Sequence, residues 1–188
     1  MGKLTIFLGG ARSGKSTMAE KLAAQLSDRV LYVATAIPFD DEMEHRIEKH
    51  KKQRPHSWKT LEIPTGIGKA LQAEVRSFDV ILLDCITLLV NNLFMESSFD
   101  PDNPDEGQTS QAITQEMDEL EDQIKSSSAN WILVSNEVGM GLVPPYPLGR
   151  LYRDTLGWAN QRLVSLADEV YIMIAGKAVP LHAIALNL

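Results

Sequence analysis

A single α/β domain, with a mostly parallel sheet and helices on both of its faces, is predicted by three observations. Short runs that are apolar at nearly every position recur along the 188 residues, as strands covered on both faces require. Longer stretches with helical periodicity separate them, which is the βαβ pattern. The first run leads straight into a glycine-rich loop and then a helix. The length suits one domain with one core, over residues 1–188.

The expected strands are Leu4–Leu8, Val30–Ala34, Val80–Asp84, Trp131–Ser135 and Val170–Ile174. Lys59-Thr60-Leu61-Glu62 is a shorter candidate strand, and Lys177–Leu188 is expected to finish in an edge hairpin. After the first strand, Ala19, Leu22, Ala23 and Leu26 recur at helical spacing. Asp41–Arg54 reads as a helix capped by Asp40 and ended by Pro55. Met43, Ile47, His50 and Arg54 share one face of it, and His45 points away from that face. In Ser110–Ser127, Ile113, Met117, Leu120 and Ile124 form an apolar stripe with acids opposite. In Gly149–Ala167, Tyr152, Leu156, Ala159 and Leu163 form a second core stripe. Arg153, Gly157 and Asn160 lie beside that stripe and could face a ligand or a neighbouring subunit; surface ion pairs would equally account for Arg153 and Asp154. Ser97–Thr109, with Pro101, Pro104 and Gly107, reads as a loop long enough to be a lid, a subunit contact or an excursion.

At 44% apolar and 23% charged residues the composition is that of an ordinary globular protein. The formal charge is −7 and uneven: no Lys or Arg lies between Asp84 and Lys125, and Glu96 to Asp122 hold ten of the 25 acids. The remainder carries 18 cations against 15 acids, without the basic stripe of a protein that tracks nucleic acid. Small-molecule partners are expected, and no nucleic acid. Cys85 is the lone cysteine, so an intrachain disulfide is impossible and a reducing compartment is natural. Directly after a buried strand, it suits an inert thiol better than a nucleophile. With no signal-peptide pattern and no apolar run of membrane-spanning length, the expected location is the cytoplasm.

Gly9-Gly10-Ala11-Arg12-Ser13-Gly14-Lys15-Ser16 satisfies G-x-x-x-x-G-K-[ST] between a strand and a helix. That context marks a phosphate-binding P-loop. The glycines let backbone N–H groups turn inward around a triphosphate, and the helix start adds partial positive charge. Lys15 would reach the outer phosphates, and the Ser16 hydroxyl would ligate Mg²⁺. Asp84, at the carboxyl end of a buried strand, stands where a carboxylate would hold that ion or its water. Ligands of open α/β sheets lie beyond the carboxyl ends of the strands, so Thr35, Asp84 and Asn136-Glu137 should converge there.

The segment holding Arg46, Lys49, His50, Lys51, Lys52 and Arg54 is the second concentration of interest. It suits a solvated cationic face with an ordinary half-buried histidine. It also suits a neutral imidazole, beside phosphate-neutralising cations, that attacks phosphorus. Spacing alone leaves both open.

The P-loop octet, Ala34-Thr35-Ala36, Asp41-Glu42-Met43 with Arg46-Ile47 and His50-Lys51, Arg54-Pro55, and Trp58-Lys59-Thr60 with Glu62 occur in order. Asn136-Glu137-Val138-Gly139-Met140-Gly141 with Pro144, Arg153-Asp154, Asn160-Gln161-Arg162-Leu163 and Ala167-Asp168-Glu169-Val170 complete the series. From Leu4 to about Pro180 the chain thus resembles the bifunctional adenosylcobinamide kinase/adenosylcobinamide-phosphate guanylyltransferases of cobalamin biosynthesis. That resemblance implies a RecA-like P-loop domain and a trimeric assembly. It implies phosphorylation of adenosylcobinamide by ATP or GTP, then transfer of GMP from GTP to adenosylcobinamide phosphate, with pyrophosphate released. It places the guanylylated histidine at His50; in the kinase step the catalytic residue would be Lys15 of the P-loop, stabilising charge on the transferred γ-phosphoryl group. Nucleotide contacts would fall on Gly9 to Ser16, Ala34, Thr35 and Ala36, Lys51, Lys52, Gln53 and Arg54, Glu62 and Asp84, with Mg²⁺ on Ser16 and Asp84. Two departures are Lys49-His50, where some members have adjacent histidines, and the less typical tail Lys177–Leu188. No residue is marked out as general base for the hydroxyl; Glu62 and Glu137 are the acids considered. A monofunctional small-molecule kinase would need the P-loop and Asp84 but not His50, and a regulatory GTP-binding module or a RecA-like motor would need neither substrate nor histidine.

Overall fold

The computed structural model describes residues 2–38, 45, 48, 51, 54–97 and 102–186. Among them, seven strands make one sheet: β1 (Leu4–Gly9), β2 (Val30–Ala34), β3 (Lys59–Glu62), β4 (Val80–Asp84), β5 (Asn130–Val134), β6 (Glu169–Ile174) and β7 (Lys177–Pro180). The spatial order is β3-β2-β4-β5-β1-β6-β7. Every neighbouring pair is parallel except β6 with β7. All the expected strands form, the short one at Lys59–Glu62 included. The edge hairpin is made by β7 folding back on β6, through Ala175 and Gly176 at positive φ. The tail then turns out of the sheet at Leu181–Ala183.

The helices with described bounds are α1 (Lys15–Leu26), α2 (Ile67–Leu71), α3 (Ile86–Ser97), α4 (Glu106–Ser126) and α5 (Pro147–Leu166). His45, Glu48 and Lys51 are also helical and exposed, in keeping with His45 pointing outward. Arg54, expected to end the same helix, is instead in a bend, its N–H donating to the Lys51 carbonyl at 3.3 Å; the other expectations for this segment, with the Asp40 cap, His50, Lys52 and Gln53, lie outside the described residues. Two helix starts differ from expectation. α4 begins at Glu106 rather than Ser110, because the Asp105 side chain accepts the Gln108 N–H at 2.9 Å and caps it. The loop read over Ser97–Thr109 is shorter by those residues, and Ser97 itself ends α3. α5 begins at Pro147 rather than Gly149, since proline's fixed φ suits the first helical turn.

Strand residues alternate between two buried layers. On one face Phe7, Val30, Tyr32, Val80, Leu82, Ile132 and Val134 pack with Ala19 and Ala23 of α1. On the other, Leu4, Ile6, Leu31, Val33, Ile81, Leu83, Trp131 and Leu133 pack with α2, α3, α4 and α5. Burial on both sides explains why the strands read as unbroken apolar runs. The expected stripes hold: Ile113, Met117, Leu120 and Ile124 of α4 and Leu156, Ala159 and Leu163 of α5 are buried. Among the described residues no helix is long and apolar enough to cross a membrane.

Several acids of the acidic stretch hold neighbouring elements together. Arg162 of α5 donates to Asp118 at 2.8 Å and to Glu121 at 2.6 Å on α4. Glu116 accepts the N–H groups of Gly66 and Ile67 at 2.7 and 2.8 Å, closing the start of α2. Those N–H groups have no intrahelical acceptor, so a buried carboxylate answers a need of the backbone.

Candidate active site

Register brings the carboxyl ends of the central strands level. Ala34 lies opposite Asp84, and Asp84 opposite Val134. β1 ends beside them at Gly9, paired with Met173. The P-loop leaves from this edge. Gly9 has φ 146, and a side chain there would start 2.6 Å from the Met173 carbonyl oxygen. Gly14, at φ 95, is the uncapped residue before α1, so no side chain competes for the first-turn N–H groups. The loop is braced from outside: Glu137 N–H donates to the Gly9 carbonyl at 3.1 Å, and Gly176 N–H to the Ser13 carbonyl at 2.9 Å.

Within the loop Gly10, Ala11 and Arg12 are exposed, while Ser13 and Lys15 are buried. Lys15 Nζ donates to the Gly10 carbonyl at 2.8 Å, and Ser13 Oγ is buried without a partner. A hydroxyl so placed costs energy until something accepts from it or donates to it.

Asp84 stands at the end of β4, where the Tyr32 hydroxyl donates to its Oδ2 at 2.7 Å. Burial first, and the Asp84 charge second, push the Tyr32 phenol far above its ordinary value, so it remains a donor. The Arg54 guanidinium lies over the Tyr32 ring, 3.4 Å from its centroid, and Nη1 reaches Thr60 Oγ1 at 3.4 Å. Glu20 of α1 joins this group electrostatically. Burial raises its carboxyl, Arg54 opposes the shift and Asp84 adds to it.

The other expected contacts are distributed around this centre. Lys51 pairs with Glu62 at the end of β3. Thr35 is fully buried, and its hydroxyl donates to the Cys85 carbonyl and accepts the Cys85 N–H, both at 2.8 Å. Its side chain therefore ties β2 to β4, and any nucleotide contact in Ala34-Thr35-Ala36 would be left to the backbone or to Ala36. Glu137 Oε1 accepts the Gly139 N–H at 2.8 Å. After β5, Ser135 Oγ donates to Asn160 Oδ1 at 2.7 Å, and Asn160 Nδ2 to the Asn136 carbonyl at 3.0 Å. Asn160 thus supports the strand end from α5, whereas Arg153 forms a pair with Asp154. Cys85 is a poor nucleophile, as expected: burial pushes its thiol up to about 12.

Sequence reasoning missed Tyr32 and Glu20. Tyr32 sits in an apolar run that reads as core and Glu20 beside the apolar stripe of the first helix, and their link to Asp84 and Arg54 exists only once β2, β4 and α1 are assembled. For Mg²⁺ the fit is good: Asp84 and Ser16 offer hard oxygen donors, one carboxylate and one hydroxyl, leaving other positions for phosphate and water.

A family model described as CobU, cobinamide kinase / cobinamide phosphate guanyltransferase, matches residues 5–181. The bifunctional adenosylcobalamin biosynthesis protein CobU of Escherichia coli (strain K12) is 41% identical over 175 residues, covering 92% of this chain and 96% of that protein. CobU of Salmonella typhimurium is 41% identical with the same coverage. CobP of Pseudomonas aeruginosa is 40% identical over 176 residues, 94% and 95% of the two chains. Among solved structures, the RadB recombinase superposes with a TM-score of 0.50 at 14% identity, over 90% of this chain and 73% of that one. An ATPase of a type III secretion system gives 0.56 at 13% identity, over 92% of this chain and 51% of that one. At such identities the likeness speaks for the fold, and it agrees with the expected RecA-like α/β domain.

Proposed function

The chain belongs to the cobinamide kinase / cobinamide phosphate guanyltransferase family, and on that premise we propose that one catalytic domain, residues 1–188, performs both of its reactions. It phosphorylates adenosylcobinamide with ATP or GTP, then transfers GMP from GTP to adenosylcobinamide phosphate. The observation that carries this reading is the family match across residues 5–181, which spans the P-loop and the His50-Lys51 pair together.

In the first reaction the aminopropanol hydroxyl attacks the γ-phosphorus, the bond to the β–γ bridging oxygen breaks, and the nucleoside diphosphate leaves. Lys15 and the N–H groups at the start of α1 stabilise the charge on the transferred group. Bound Mg²⁺ would neutralise phosphate charge from Ser16 and Asp84. In the second reaction a His50 ring nitrogen attacks the α-phosphorus of GTP and pyrophosphate leaves. A phosphate oxygen of the corrinoid then displaces the imidazole from phosphorus, giving adenosyl-GDP-cobinamide. Lys51, Lys52, Gln53, Arg54 and Glu62 belong to the nucleotide contacts of this step, with the cations balancing developing charge. We further propose a homotrimer, as the family resemblance implies, located in the cytoplasm.

Incubation with GTP, Mg²⁺ and adenosylcobinamide, followed by the mass of the corrinoid, tests the reading. A gain of phosphate and then of GMP is expected. A gain of phosphate alone would reduce the protein to a kinase, and no gain would remove the assignment.

A further inference from the structure

Tyr32 is buried at 2% exposure, yet it joins two charged groups assigned to different reactions. Opposite Leu82 in the β2–β4 register, it has Asp84 as its diagonal neighbour on the same face of the sheet, within reach of a long side chain. The hydroxyl donates to Asp84 Oδ2 at 2.7 Å and so fixes how that carboxylate is turned. The ring face carries the Arg54 guanidinium at 3.4 Å, and Arg54 Nε is buried without a hydrogen-bond partner. The seat of Arg54 is therefore aromatic, supplemented by Thr60 Oγ1 at 3.4 Å. Arg54 lies four residues after His50 in the chain.

We propose that Tyr32 is a positioning residue for both transfers, its hydroxyl orienting Asp84 and its ring seating Arg54 at the end of the segment that carries His50. A phenylalanine would fill the same space and hold Arg54, but would leave Asp84 free to turn. An aliphatic residue would fail at both. This rests on the roles proposed above for Asp84 and His50.

The test separates the two ends of one side chain. Mn²⁺ binding to the protein–GTP complex is followed by electron paramagnetic resonance. Label uptake from GTP labelled at the α-phosphate is timed at saturating metal. Tyr32→Phe should weaken Mn²⁺ binding by about tenfold, the scale of losing a group that orients a metal ligand, and label within about threefold of the wild-type rate. Tyr32→Leu should slow labelling by about tenfold. Arg54→Met removes the stack and the proposed nucleotide contact together, and should slow labelling at least as much as Tyr32→Leu. Wild-type Mn²⁺ affinity in Tyr32→Phe, or a wild-type labelling rate in Tyr32→Leu, would overturn the proposal. Failure of the wild-type protein itself to take up label would instead sink the nucleotidyl-transfer reading, while the Mn²⁺ measurement still judges the hydroxyl.

Discussion

Lys15 Nζ donates to the carbonyl oxygen of Gly10 across 2.8 Å, so the loop's own backbone holds the ammonium that a triphosphate needs. With the residue 7% exposed, the charge is partly desolvated and already oriented. In the proposed reaction, exchange of that carbonyl acceptor for phosphate oxygens would strengthen its bonds as charge builds on the transferred group. Lys15→Met keeps the volume and removes the charge. It should lower kcat/KM for phosphoryl transfer by about a hundredfold or more, as steady-state kinetics would show. A loss below about tenfold would mean the ammonium acts only in folding.

Glu116 offers a stability test away from the site. It accepts two backbone N–H groups, at 2.7 and 2.8 Å, and Glu116→Ala would orphan both. At about 1–3 kcal/mol for each buried unsatisfied donor, a loss of about 2 kcal/mol or more is expected. For a chain of this length that lowers Tm by about 4–8 °C.

The same residue gives a pH signature. Burial outweighs the two N–H bonds and holds the carboxyl above its ordinary value of 4.5. A raised folded-state value means that the protonated form is favoured on folding. The associated stability is present below 4.5 and is lost as pH rises through the folded value. Relative to Glu116→Gln, which cannot ionise, the wild type should lose stability across that rise. Denaturant midpoints at a series of pH values check this, and a constant difference would contradict it.

Much of this architecture was legible because chemistry and period agreed. The strands are buried on both faces and read as apolar runs, and the P-loop carries its own signature between them. α3 was not separable as an individual helix, because Ile86, Leu89, Val90, Leu93 and Phe94 are all buried and a helix covered nearly all round loses its polar face. The start of α4 was missed although Asp105 and Gln108 have N-cap spacing, because Pro104 and Gly107 read as loop residues. The Tyr32–Asp84 bond and the Arg54 stack belong to strand register, which no local pattern announces.

Cys85 is expected to resist modification in the folded protein. With its thiol pushed up to about 12 by burial first and by the Asp84 charge second, the thiolate fraction near pH 8 is minute. Alkylation should run at least about a hundredfold slower in the native protein than in denaturant. Comparable rates would show that the thiol is open and ionisable.

The most direct test of the central claim needs no corrinoid. Incubated with Mg²⁺ and GTP labelled at the α-phosphate, the wild-type protein should acquire an acid-labile, base-stable label that maps to His50, and His50→Ala should acquire none. An unlabelled wild-type protein that still phosphorylates adenosylcobinamide, or equal labelling of His50→Ala, would contradict it.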